Sequence, residues 1–389
     1  WPIGYDDLAP HYGAVERFMR AHGHPDGLGQ LPDGELLPAF PLTPAEARLR
    51  AEVEAAWPER RVIAARGVPV PDRFDEWPRF TAQAMLAEAT RTGLLELRTG
   101  CAAHEILVDP REGLARGVRY LHLGKGEERE APAGLVLVCA STVGTLRLLL
   151  SSGGAFAPAG LGNENGLLGR GLMDHVSFAM LGEVPDPPAA PPPPFGGPHG
   201  VLLPRFRNLA GRRPDYVGGF GYWGGAGRAF GGSRFLFVGY GEVLPRPDNA
   251  VTLDASRRDA AGRPLAHVAM SWGDNERAMM RDARDCLREM LERAGMRITH
   301  ESDALQVPGR FVHETGGAPM GETPRASVLD PENRLWSVPN VLVVDGACFP
   351  RCGYQNPTLT MLALCDRACD RLVARLARGE RRARPGGPG

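Results

Sequence analysis

The sequence predicts an α/β fold, and three observations carry that reading. Residues 134–138 are a continuous apolar run, as in a strand buried on both faces, followed by the small-residue turn Cys139-Ala-Ser-Thr142 and a helix over 143–150. That succession is the half-unit of a nucleotide-binding sheet, in which small residues let a ligand approach the backbone. Residues 338–344 read as another apolar strand, ahead of a strongly apolar helix over 356–376. Between 201 and 271 the rhythm changes: strand-like runs at 201–206, 216–221, 235–241, 251–253 and 265–271 alternate with glycine clusters, as in an antiparallel sheet.

The remaining elements follow in chain order. A helix is expected over 5–22, capped by Asp6 or Asp7, with Leu8, Tyr12, Val15 and Phe18 on one face. A second, over 43–56, opens with the capping box Thr43-Pro-Ala-Glu46 and proline at its first position. A third, over 80–92, stops at Gly93. Short β-type runs at 95–98, 103–108 and 117–123 come next, with Asp109-Pro-Arg-Glu-Gly113 as the turn between the last two. The proline-rich stretch 185–198, with Pro191 to Pro194 in a row, should be extended and exposed. Residues 274–295 read as a helix with an N-cap and a glycine stop, and no internal repeat is visible.

The chain has 389 residues, enough for two or three domain-sized units. A net charge of −1 argues against a nucleic-acid or membrane-surface partner, and no apolar run is long enough for a transmembrane helix. The basic run Arg381-Arg-Ala-Arg384 belongs to a frayed tail over 377–389. The opening Trp1-Pro-Ile-Gly, without a starting Met or signal peptide, reads as a fragment or a processed product. Seven scattered cysteines indicate reduced thiols and a cytoplasmic setting. Cys348/Cys352 and Cys365/Cys369 are spaced as packing positions; no Cys-x-x-Cys or His-x-x-x-His accompanies them, so no metal site is expected.

The chemistry concentrates near the end, in His313-Glu-Thr-Gly-Gly, Val343-Val-Asp345-Gly346 and Gly353-Tyr-Gln-Asn356-Pro357-Thr358. A histidine and an asparagine can hold an alcohol between a proton acceptor and a hydrogen-bonding amide. An imidazole with a pKa near ~6.5 can take the hydroxyl proton at neutral pH while hydride leaves carbon. Asn356 also stands where it could cap the helix that begins at Pro357. Asp174-His175 reads as a structural pair in a loop beside the site, and Gly160-Leu-Gly162-Asn-Glu-Asn-Gly166 has the wrong spacing for a dinucleotide loop.

Motif order along nearly the whole chain resembles the glucose–methanol–choline (GMC) flavin oxidoreductases. The matching segments are Trp1-Pro-Ile-Gly-Tyr-Asp-Asp-Leu8, the turn from Cys139 into Leu150, the Gly162-Asn163…Met173-Asp174-His175 loop and, most specifically, the block from His313 to Thr360. The resemblance implies a two-domain α/β fold of the GMC type, with an FAD-binding α/β domain and an antiparallel-sheet substrate domain backed by helices. It implies a helical linker or lid over 1–80, part of the FAD domain over 81–180, the substrate domain over 181–312, and a C-terminal segment over 313–376 that completes both. His313 and Asn356 would be catalytic, with His313 beside the flavin N5. Ala103, Cys139, Ala140, Asp345, Gly346, Asn356, Pro357 and Thr358 would contact FAD.

The implied reaction is oxidation of a CH–OH group by hydride transfer to the flavin. The segments Arg205-Phe-Arg-Asn208 and 219–225 resemble the sugar-oxidising branch, so the substrate would be a sugar, glycoside or polyol, and an electron-accepting partner subunit is compatible. The family's opening Gly-x-Gly-x-x-Gly turn does not occur at the start of this chain. The alternative reading is therefore a truncated fragment, or a subunit that cannot bind FAD alone.

Overall fold

A six-stranded sheet organises the larger unit. Its order is Arg297–Ser302, Val176–Glu183, Arg234–Gly241, Phe220–Ala229, Val201–Leu203, Ile63–Ala64, and every neighbouring pair is antiparallel. The computed structural model describes residues 1–68, 82–185, 198–229, 232–302 and 307–379. The proline-rich loop over 186–197, the start of the third helix at 80 and 81, and the tail from 380 lie outside the described residues.

Helix Asp274–Arg293 covers one face of this sheet. Met279, Ala283, Cys286, Leu287 and Met290 recur at helical spacing and are all buried. Tyr222 Oη donates to the Ala283 carbonyl at 2.7 Å, pinning helix to sheet. The helix starts at Gly273, whose N–H donates to Glu276 at 2.8 Å, and stops before Gly295, with φ +76°. Helix Pro44–Ala56 begins with the expected capping box on Thr43. Its Glu46 turns inward and meets the equally buried Arg228 at 2.7 and 2.9 Å.

A four-stranded sheet, in the order Pro264–Ala269, Ala250–Arg258, Arg170–Met173, Thr315–Gly317, stands beside it. The antiparallel pattern read between 201 and 271 thus divides between two sheets, joined by strands the sequence reading did not mark. Arg170–Met173 runs straight into Val176–Glu183 of the larger sheet, with only Asp174 and His175 between them. That corner positions the candidate site.

The α/β unit pairs Val136–Val138 with Val341–Val343 in parallel. The first strand is not buried on both faces as expected: Val136 and Val138 are buried, but Leu137 is 37% exposed. Helix Thr142–Leu150 follows it. The second strand is buried throughout, and Leu342 and Val344 pack on Ala368 of helix Thr358–Ala377. A three-stranded antiparallel sheet, Cys101–Asp109, Leu114–His122 and Glu127–Pro132, carries the expected turn, where Gly113 N–H donates to the Asp109 carbonyl at 2.9 Å.

Three further expectations need correction. Residues 95–98 form no strand, and the neighbouring Leu94 is 91% exposed. The first helix is Tyr5–Met19, ended by Arg20 at φ +56°; Phe18 is 43% exposed, and Met19 takes the buried place assigned to it. The last helix starts at Thr358 with Pro357 at the N-cap position, so Asn356 does not cap it. Among the described residues no helix is long and apolar enough to cross a membrane.

Candidate active site

Sheet register brings two histidines together. Thr315 lies opposite Met173 in the antiparallel pair. Continuing that pairing past the strand ends sets His313 against His175, and their Nδ1 atoms are 2.9 Å apart. His175 is 1% exposed; its Nε2 lies 3.1 Å from the Gly353 carbonyl oxygen. His313 is half-buried, and among the described residues nothing hydrogen-bonds its Nε2.

Asp174 fixes the backbone around both. Its carboxylate accepts from the N–H of His175 at 2.7 Å, of His313 at 3.0 Å and of Gly309 at 3.1 Å. Burial raises its pKa against these bonds, which stabilise the ionised form. Burial lowers the pKa of His313. It lowers that of His175 further, to about 3, with the neighbouring His313 adding to the effect and the Gly353 carbonyl opposing it. Both imidazoles are therefore neutral at neutral pH, and a neutral imidazole can accept a proton.

Aromatic side chains enclose the pair. Phe311 meets both rings edge-on, with centroids 5.5 Å from His175 and 4.8 Å from His313. Tyr240 stacks on Phe311 at 5.5 Å and on Tyr354 at 6.3 Å. Tyr354 fits because Gly221 has no side chain: a Cβ there would lie 2.5 Å from its ring. Sequence reading gave no role to Tyr240, Phe311 or Tyr354, although Tyr354 stands inside the segment from Gly353 to Thr358 and Phe311 two residues before His313. In the first of the two sugar-like segments the arginines bond the chain itself. Arg205 donates to the carbonyls of Arg207 and Asn208 at 2.8 and 2.7 Å, and Arg207 grips Asp282 through two bonds.

The second candidate, Asn356, is exposed, three residues beyond the Gly353 carbonyl that His175 meets. Its amide makes no hydrogen bond to the described residues. Of the residues expected at the cofactor, Ala103, Cys139, Ala140 and Thr358 are exposed, whereas Asp345, Gly346 and Pro357 are buried. The Asp345 carboxylate is engaged internally, accepting from Thr145 Oγ1 at 2.5 Å and from Ala347 N–H at 3.0 Å. Gly346 sits where the α/β unit meets the His313 segment. Thr142 Oγ1 donates to the Glu314 carbonyl at 2.5 Å, and a Cβ on Gly346 would lie 2.6 Å from that hydroxyl and 2.8 Å from that carbonyl oxygen. One close contact thus links the 139–142 turn to the residue after His313.

The family models described as GMC oxidoreductase match residues 78–177 and 245–365. Paromamine 6'-oxidase of Streptomyces fradiae is 30% identical over 93% of this chain and 70% of its own length. This chain belongs to the GMC oxidoreductases. The 2-methyl-1,2-propanediol dehydrogenase of Mycolicibacterium austroafricanum is 29% identical over 97% of this chain and 75% of its own. The crystal structure of pyridoxine 4-oxidase from Mesorbium loti shares the fold, with a TM-score of 0.65 and 20% identity over 95% of this chain and 77% of that one.

GMC oxidoreductases act on alcohol and sugar-like CH–OH donors and generally depend on a flavin. The exposed turn fits the dinucleotide part of such a cofactor in chemistry. Cys139, Ala140 and Ser141 present small side chains and Gly144 none at the start of a helix, and Ser141 holds φ +64° there. Helix N–H groups at such a terminus favour negatively charged phosphate.

Proposed function

We propose that this chain oxidises a CH–OH group of a sugar, glycoside or polyol, with His313 as the general base. The observation that carries the reading is the His313 imidazole: neutral, partly exposed, with Nε2 unengaged by the described residues and Nδ1 held by a buried partner. Asn356 would hold the same substrate oxygen by its amide. Relatives named for a small diol and for paromamine support a polyhydroxylated substrate.

FAD would be held by Ala103, Cys139, Ala140, Asp345, Gly346, Asn356, Pro357 and Thr358, and when bound it supplies the hydride acceptor. Residues 81–180 and 313–376 would build the cofactor side, 181–312 the substrate side and 1–80 a lid or linker. Relatives named as a fructose dehydrogenase large subunit and a gluconate 2-dehydrogenase flavoprotein support an electron-accepting partner. Seven free cysteines suit a reducing, cytoplasmic setting.

A second reading is a subunit that takes up FAD only when another polypeptide segment completes the site. The exposed Leu137 on the two-stranded parallel sheet, and the exposed Cys139 and Ala140 in the turn that follows it, favour it. Flavin absorbance retained after gel filtration with added FAD, and bleached anaerobically by a polyol or sugar, supports the enzyme. A protein that stays colourless supports the subunit; one that is yellow but unbleached by any alcohol contradicts the proposed reaction.

A further inference from the structure

We propose that His175 is a positioning residue that sets the tautomer of His313, leaving His313 Nε2 as the lone pair that receives the substrate proton. The inference rests on the reading of His313 as the base. It goes beyond that reading by assigning a role to a histidine buried behind it.

One chain of hydrogen bonds runs from the Gly353 carbonyl through His175 to His313. The Gly353 carbonyl oxygen can only accept, so His175 Nε2, 3.1 Å away, carries a hydrogen and donates it. In a neutral imidazole the other nitrogen is then a bare acceptor, so His175 Nδ1 has a lone pair. His313 Nδ1, 2.9 Å from it, must carry a hydrogen and donate it. His313 Nε2 is left unprotonated. A backbone carbonyl thus dictates, through two rings, which nitrogen of the outer histidine is basic.

The surroundings hold this order in place. The rings meet edge-on at 85°, Phe311 also meets His175 edge-on, and Tyr240 lies tilted against it. The titratable groups around the pair are Asp174, Glu314, Tyr240, Cys352 and Tyr354. Asp174 is bound to backbone N–H groups, and burial raises the pKa of Tyr240, Tyr354 and Cys352, keeping them protonated at neutral pH. No competing protonated side chain is hydrogen-bonded to His175 Nδ1 among the described residues.

In the proton step the substrate O–H bond breaks and a new H–Nε2 bond forms on His313. The electron pair left on oxygen becomes part of the carbonyl as hydride leaves carbon, for which a bound flavin would supply the acceptor. The resulting imidazolium keeps its Nδ1–H directed at His175, which stays neutral and accepts. An opposite tautomer of His313 would present an Nε2–H to the hydroxyl and could not take its proton.

The test needs no turnover in its first arm. Long-range 15N–1H correlation spectra of 15N-histidine-labelled protein at pH 7 should show His175 as the Nε2–H tautomer and His313 as the Nδ1–H tautomer. His175 as the Nδ1–H tautomer overturns the proposal. In the second arm, His175→Phe removes the acceptor and His175→Asn restores one near the Nδ1 position. In flavin-loaded enzyme, Phe should lower the rate of flavin reduction by roughly 10–100-fold with KM little changed, and Asn should recover most of it. Equal loss in both variants, or no loss in Phe while His313→Ala is slow, sinks the positioning role and spares the base. An unimpaired His313→Ala removes the base assignment itself.

Discussion

Acid should destabilise this fold through His175 by an amount that can be worked out. Its folded pKa is about 3 against an ordinary 6.5, because burial penalises the imidazolium. Between those values the unfolded chain binds a proton that the folded chain does not. Stability therefore rises with pH across that window, is fully present above pH 6.5, and is lost as the pH falls towards 3. Each pH unit inside the window is worth ~1.4 kcal/mol, so about 2 kcal/mol disappears between pH 7 and pH 5. The perturbation is His175→Asn, which cannot titrate. Urea unfolding of both proteins at pH 7 and pH 5 gives the stability gap at each pH. The variant should be less stable at pH 7, and the gap should close by about 2 kcal/mol at pH 5. A gap independent of pH would mean that His175 titrates normally in the folded state, and one that widens in acid that its folded pKa is raised; either result rules out the lowered pKa.

Three further outcomes follow from the geometry. Glu46→Gln should destabilise the protein by roughly 3–5 kcal/mol in denaturant unfolding, because it removes the buried carboxylate charge that faces the Arg228 guanidinium. Gly346→Ala should cost about 1–3 kcal/mol and also slow turnover, since the new Cβ crowds the Glu314 carbonyl and shifts the residue next to His313; unchanged kinetics would show that this contact does not position the base. Asn356→Ala should raise KM and lower kcat by less than His313→Ala does, as a hydrogen bond made in ground and transition states alike would; steady-state kinetics of the two variants decide it.

Local signals in the sequence were strongest where one element holds all the information. The Thr43 capping box, the Asp109 to Gly113 turn and the period of helix Asp274–Arg293 are each complete within a few residues. What escaped depends on partners far along the chain. Glu127–Pro132 is a strand built largely of charged, exposed residues, ordered by its neighbour Leu114–His122 and not by apolar alternation. Leu137 looked buried within an apolar run, yet one side of its strand is open. The site divides in the same way. His313 and Asn356 stand out through their flanking glycines and family motifs, and the placing of Asp174-His175 beside the site agrees with the geometry. The His175–His313 contact emerges only from sheet register, because its partners are 138 residues apart in the chain.

If His313 takes the substrate proton, its removal must change both the rate and the pH profile of flavin reduction. Stopped-flow measurement of flavin reduction by an alcohol, in wild type and His313→Ala across pH 5 to 9, tests it most directly. Wild type should lose rate only below the ordinary imidazole range, since burial lowers the pKa of His313. The variant should be slower by roughly 10²–10⁴-fold, the usual worth of a positioned base, and should show no acid limb. A variant that reduces its flavin as fast as wild type, with the same acid limb, would contradict the claim and move the base elsewhere.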